Sequence, residues 1–366
     1  MKHIVVCMQE PGRTEQRQNV WDALLGWYAR NGRHNLPWRQ TRDPYAVLVS
    51  EFMLQQTQVD RVLPRFRQFM ERFPDFGSLA RASTADVIRE WSGLGYNARA
   101  VRLQAIAREV VEQHHGELPA TLDELVRFKG IGRYTAGALA CFAFNLQVET
   151  VDTNIRRVLW RVFRGIEPAD WPTRLGFQRS ITDLASWALP PGRAYDWQQA
   201  LMDLGATICT ARAPKCETCP VGPECSAFAE TSQMTLFPSG SGLADVRSRK
   251  KRVHPKVHPD THTADKFVAE HKGPYVDSER LAPRPKRRVS TQFKGSSRYY
   301  RGRIVEALSN LPVDSTVQVE TLGTTIKADF SDSDRDWLNA LIQQLVRDGL
   351  VKITNRSGDT AWISLP

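Results

Sequence analysis

Four cysteines, Cys209, Cys216, Cys219 and Cys225, fall in the pattern C-x6-C-x2-C-x5-C, and no other feature of the chain limits its folding so tightly. A loop of this kind can close and deliver four thiolates to one centre, a donor set that suits either zinc or an iron-sulfur cluster. Zinc sites more often pair two C-x2-C knuckles, and this segment has one, so spacing alone leaves both metals open. Disulfide pairing is the other use of such cysteines, and it belongs to oxidising compartments. No stretch approaches the roughly 20 apolar residues needed to span a bilayer, and the apolar run at 4–8 is too short for a signal-peptide core. These features predict a cytoplasmic protein with no membrane segment, in a reducing setting where the cysteines serve as metal ligands.

The metal loop needs a body to brace. With 366 residues, 41% hydrophobic, the chain has enough apolar material for one large core or for two domains and a tail. Apolar residues recur at three- and four-residue spacing in 20–28, 45–54, 59–70, 101–111, 135–144 and 155–163, which predicts a succession of amphipathic helices. Pro74, Gly93, Gly95, Gly116, Gly130 and Gly132 punctuate them, and strand-like alternation is scarce, so residues 17–229 read as an all-α body. Between 230 and 297 the composition turns to Ser, Pro, His and basic residues, as expected of a disordered basic linker. Residues 298–366 predict a small α+β domain of winged-helix-like form, with helices at 299–308 and 334–347, a β-prone stretch at 316–326, and strands at 349–353 and 360–364 around a turn at 355–359.

A formal charge of +10 favours a polyanionic partner, because each Lys or Arg near a phosphate releases condensed counterions. One segment makes this specific. FKGIGR at 128–133 lies between two helical stretches, and Gly130 and Gly132 permit a tight hairpin whose backbone N–H groups can approach a phosphate, flanked by Lys129 and Arg133. About twenty residues later, Asp152 in VDTN opens the next helix. Its ordinary use would be as the helix N-cap, with Asn154 holding it in place. A second acid, Glu51, sits among Phe52, Met53 and Leu54, where burial would raise a carboxyl pKa toward acid catalysis.

Taken together, LPWR at 36–39, DPY at 43–45, MLQQTQV at 53–59, GLGY at 93–96, KGIGRYTAGA at 129–138 and ALMDLGATIC at 200–209 resemble the catalytic region of the MutY-type adenine DNA glycosylases. The cysteine intervals are similar to the cluster loop of the endonuclease III and MutY glycosylases. The resemblance implies a two-lobed helix-hairpin-helix glycosylase fold, a [4Fe-4S] cluster on the four cysteines, and double-stranded DNA containing a mismatch as the partner of a nucleoid-associated monomer. It implies that Asp152 stabilises positive charge developing on the sugar, that Glu51 protonates the departing base, and that Gln55, Gln56 and Tyr96, with Thr57 beside them, contact DNA and wedge into the base stack. Trp38 and Arg39 would border the base pocket. Tyr134 stands where bifunctional relatives carry a Schiff-base lysine, which implies base excision without an efficient lyase step.

The sequence departs from the MutY pattern at three places. Asn97 follows GLGY where a second Tyr is common, Thr153 replaces the Gly of VDGN, and the Nudix-like domain with its Phe-Ser-His loop, which reads 8-oxoguanine, has no counterpart. Thymine glycosylases acting on G:T or G:U mismatches are also similar and also lack that domain, so thymine or uracil remains the alternative base to adenine opposite guanine or 8-oxoguanine. A non-catalytic iron-sulfur DNA-binding protein is the alternative of another class, and the presence of Glu51 together with Asp152 argues against it.

Overall fold

In the computed structural model, residues 11–168, 177–236, 293–357 and 360–366 are described. Each amphipathic stretch expected between 20 and 163 coincides with a helix. The first is α1 (Pro11–Asn31), followed by α2 (Pro44–Leu54), α3 (Val59–Arg72), α4 (Phe76–Arg81), α5 (Thr84–Glu90) and α6 (Ala98–Gln113). The short α7 (Leu122–Leu125) and α8 (Arg133–Phe142) flank the glycine hairpin, and α9 (Thr153–Arg164), α10 (Phe177–Ala188), α11 (Ala194–Thr207) and α12 (Ser226–Leu236) follow. Local chemistry explains several starts. Asp43 accepts the backbone N–H groups of Tyr45 and Ala46 with Pro44 at the first helical position, and Ser83 and Thr121 cap α5 and α7 in the same way.

Two separate apolar cores divide this region into lobes. One gathers Val49, Phe52, Phe69, Trp91, Leu103 and Leu139 from α2, α3, α6, α8 and the segments between them. The other joins Val20 and Leu24 of α1 to Ile155, Phe163, Leu184 and Trp197. The second lobe is therefore built from both ends of the helical region, with α1 packed on α11. At its far end α12 continues to Leu236, so the helical body extends past residue 229. The expected basic linker lies mostly outside the described residues.

The C-terminal part holds α13 (Ser297–Ser309), β1 (Val317–Gln318), α14 (Val319–Ile326), α15 (Arg335–Arg347), β2 (Lys352–Ser357) and β3 (Thr360–Ser364). The strands form one antiparallel sheet in the order β1-β3-β2, with Val317 opposite Ile363 and Ile353 opposite Ile363 from the other side. Two expectations are corrected. The stretch 316–326 is strand only at its first residues and then helical, because Val319, Leu322 and Ile326 fall on one helical face and bury against α13 and α15. The expected turn at 355–359 begins later, since Asn355, Arg356 and Ser357 pair with β3. The core of this unit, which includes Ile304, Leu308, Leu338 and Leu341, also takes in Ile88 of α5, with Ala98 and Val101 of α6 packed against it. The C-terminal unit is thus seated on the first lobe. No helix among the described residues is long and apolar enough to cross a membrane.

Candidate active site

Helix α2 is buried along almost its whole length, and Glu51 enters its last turns with only 9% of its surface exposed. Burial raises its carboxyl from the ordinary 4.5 to about 7, and the negative charge of Asp152 adds to the effect. A hydrogen bond with the Tyr134 hydroxyl and the charge of Arg39 pull the other way without cancelling it. Tyr134 lies in the first turn of α8, directly after the hairpin. Burial, then the neighbouring Glu51 and Asp152 charges, hold its hydroxyl well above its ordinary value, so it stays a neutral donor.

Asp152 comes from the other lobe. It caps α9, its Oδ1 accepting the Ile155 N–H at 2.6 Å and its Oδ2 accepting from Asn154 Nδ2 at 3.2 Å. Burial raises its pKa, although the backbone bonds from Ile155 and Asn154 favour the charged form. The N-cap use expected from the sequence is present, with one oxygen fixed by the helix start and the other held by Asn154. Asn154 in turn accepts from Arg157 at 3.0 Å, and Arg157 also donates to the Gly205 carbonyl at 2.7 Å and to the Cys209 carbonyl at 2.9 Å. Only glycine fits at 205, since a Cβ there would lie 2.8 Å from the Asn154 Cβ.

Arg39, whose charge reaches Glu51, and Trp38 lie on the short 3-10 turn at Pro37–Arg39 ahead of α2. The Arg39 guanidinium grips Asp203 through two bonds of 2.8 Å, and Arg33 binds the same carboxylate at 2.7 Å. Burial alone would raise the Asp203 pKa, but these two cations hold it below its ordinary value. Trp38 is buried against Phe66, ring centroids 5.2 Å apart. Arg39 is thus the buried half of an ion pair, with 4% of its side chain exposed.

The DNA-facing residues expected from the sequence cluster on two loops. Gln55, exposed Gln56 and Thr57 follow the end of α2, while Tyr96, 44% exposed, ends the GLGY loop. Gln56 and Tyr96 both adopt left-handed backbone, φ +57° and +49°, which is strained for residues with side chains. A residue the sequence reading missed ties the two loops together. Arg99, 6% exposed, donates to the carbonyls of Phe52 (2.6 Å), Met53 (3.0 Å) and Gln55 (2.6 Å), to Thr57 Oγ1 (3.1 Å) and to the carbonyls of Leu94 (3.4 Å) and Gly95 (3.0 Å). It satisfies carbonyls that the end of α2 leaves open and places a cation at the helix C-terminus. Burial lowers its pKa to about 10, so it remains charged at neutral pH.

In the hairpin, whose Phe128 and Ile131 are buried in the core of the same lobe, Lys129, Gly130, Gly132 and Arg133 are exposed. Gly130 needs its φ of +116°, and Gly132 caps α8 with no side chain of its own, leaving the first N–H groups of the helix open to an anion.

The four cysteines line one cavity of about 290 Å³, with Arg161, Leu204 and Val221 among the other walls. Arg161 of α9 lies 3.6 Å from the Cys209 sulfur, and the Cys225 thiol donates to the Arg161 carbonyl at 3.4 Å. Burial raises the Cys219 thiol to about 12 and lifts Cys216 and Cys225 as well, so a metal centre taking thiolates here would displace protons. Among the described residues no three His, Cys, Asp or Glu side chains lie close enough to hold a single metal ion. The donor set fits a group held by four sulfurs around a cavity.

Residues 49–175 match the HhH-GPD superfamily of base excision DNA repair proteins, a span holding Glu51, the hairpin and Asp152. The adenine DNA glycosylase of Mycobacterium tuberculosis strain H37Rv is 44% identical over 224 residues, 60% of this chain and 71% of that protein. The human adenine DNA glycosylase is 43% identical over 235 residues, which span 42% of its length. Among solved structures, a thermostable thymine-DNA glycosylase superposes over 59% of this chain and 98% of its own with a TM-score of 0.54 at 29% identity. A trapped endonuclease III–DNA complex shares the fold at 19% identity and a TM-score of 0.50. On the strength of these matches and the site geometry, the chain belongs to the adenine DNA glycosylase family within the HhH-GPD superfamily of base excision repair proteins.

Proposed function

We propose that this enzyme hydrolyses the N-glycosidic bond of adenine mispaired with guanine or 8-oxoguanine in duplex DNA, acting as a monomer without a lyase step. The observation that carries the reading is a buried acid with a pKa near 7, Glu51, held across a cleft from a helix-capping carboxylate, Asp152. A purine leaves poorly as an anion, so a proton delivered by Glu51 lowers the barrier to its departure. As the bond breaks, positive charge grows on the sugar, and the fixed Asp152 carboxylate stabilises it until water adds to the anomeric carbon. Tyr134, kept neutral, orients the Glu51 carboxyl through their shared hydrogen bond. With tyrosine at this position there is no amine to form a Schiff base. Gln55, Gln56 and Tyr96 offset the loss of stacking when the base leaves the helix, and the 129–133 hairpin holds phosphate.

We assign the four-cysteine cavity to a [4Fe-4S] cluster. The four thiols lining one cavity, at intervals similar to the cluster loop of the endonuclease III and MutY glycosylases, support this assignment. When bound, the cluster supplies iron–thiolate bonds that staple the loop; Arg157 and Arg161 carry that bracing along α9 to Asp152.

The likeness to a thymine-DNA glycosylase keeps a second substrate in view. A panel of duplexes pairing A, T, U or hypoxanthine with G or 8-oxoguanine separates the two. The expected result is alkali-dependent strand breakage at A opposite G or 8-oxoguanine. Reaction at T or U opposite G with none at A contradicts the adenine assignment, and no abasic product on any duplex contradicts catalysis.

A further inference from the structure

The C-terminal unit does more than sit on the first lobe. Arg298, exposed in the first turn of α13, donates to the Tyr96 hydroxyl at 3.3 Å, and its guanidinium lies 5.5 Å from the centre of the Tyr96 ring. Arg99 lies 5.5 Å from the same ring. Arg61 donates to the Gly93 carbonyl, and a Cβ on Gly93 would meet the Arg65 guanidinium at 3.4 Å. Four guanidiniums thus surround the short loop 93–96, and among the described residues none of them has a carboxylate within ion-pair distance.

The C-terminal unit is not basic in general. Residues 297–366 hold eight Lys and Arg against nine Asp and Glu; at the start of α13 Arg301 is paired with Asp348 and Arg303 bonds Tyr299 and the Thr325 carbonyl, while Arg298 faces Tyr96. The seat that brings this end of α13 to Tyr96 is apolar: Ile88 of α5 is fully enclosed in the core of the C-terminal unit. Like charges gathered about a neutral, exposed loop repel one another, and an anion in the gap relieves that repulsion.

We propose that the C-terminal unit is part of the DNA-reading surface, with Arg298 gripping a backbone phosphate of the duplex beside the wedge Tyr96 while it stacks on that ring. The inference rests on the DNA glycosylase reading, and it assigns to residues 297–366 a nucleic-acid contact rather than a protein partner.

The test uses the full chain carrying Asp152→Asn, so that bound duplex is not cut. Affinity for a duplex with adenine opposite 8-oxoguanine and for a fully paired duplex is measured over a salt series. Arg298→Ala should weaken both by at least about threefold and reduce the salt slope by about one, the signature of a lost phosphate contact. Arg298→Glu should weaken them further, and Arg298→Lys should restore the slope. Arg335→Ala, which removes an arginine already paired with Asp332 in the same unit, should change neither. Unchanged affinity and slope in both Arg298→Ala and Arg298→Glu, with binding by the parent intact, would overturn the proposal. Failure of the parent chain to bind either duplex would instead overturn the glycosylase reading on which it rests.

Discussion

Two buried carboxylates that both feel the charge of Arg39 meet opposite electrostatic fates. Asp203 is surrounded by Arg33 and Arg39 and stays ionised below its ordinary pKa. Glu51 has no cation bonded to it, faces a second acid, and rises to about 7. The saturated acid fastens α11 to the loop before α2. The unsaturated one is held ready to give up a proton near neutral pH. Their linkage to stability has opposite signs. Asp203 stabilises the fold above its ordinary 3.8, and that contribution is lost as pH falls through its lowered value. Glu51 destabilises the fold progressively as pH rises from 4.5 to about 7, because the charged form is penalised by burial.

The largest expected effect falls on the other half of the working pair. Asp152→Asn should lower single-turnover excision by at least about a thousandfold while leaving duplex affinity close to that of the native chain; retained turnover breaks the assignment of Asp152. On the structural side, Asp203→Ala strands the buried Arg39, and the midpoint of denaturant unfolding should report a loss of about 3–5 kcal/mol. A loss below about 1 kcal/mol would show that the pair is not the brace described. Arg99→Met should cost about 2 kcal/mol in the same assay, since several carbonyls lose their donor, and should weaken duplex binding as Gln56 and Tyr96 relax from their left-handed backbone. The smallest effect belongs to Tyr134→Phe. Removing a bond that lowers the Glu51 pKa should move the alkaline limb of the excision profile to higher pH, by less than about one unit.

Much of this contrast was legible in the sequence, though unevenly. Glu51 declared itself as an acid inside an apolar helix, Asp152 as an acid at a helix start, and the glycines of 128–133 as a hairpin. Arg99 and Asp203 carried no such mark. Arg99 acts on carbonyls more than forty residues earlier in the chain, and Asp203 meets Arg39 from 164 residues away, so their partners exist only once distant helices have packed. The same reason explains the misread stretch at 316–326. Its β-branched residues favour a strand, but Val319, Leu322 and Ile326 also fall on one face of a helix, and packing against α13 and α15 decided between the two periods.

The central claim is that Glu51 works because burial raises its pKa and no cation bonded to it cancels that rise. Its most direct test is the pH dependence of single-turnover excision at saturating enzyme, on adenine opposite 8-oxoguanine, for the native chain and for Glu51→Gln. The account predicts that the native rate falls as pH rises through about 7, and that the variant is slower by about 10²–10⁴-fold at pH 6 with no such limb. A native rate that stays level from pH 6 to about 9, or a variant that keeps the same limb, would contradict it.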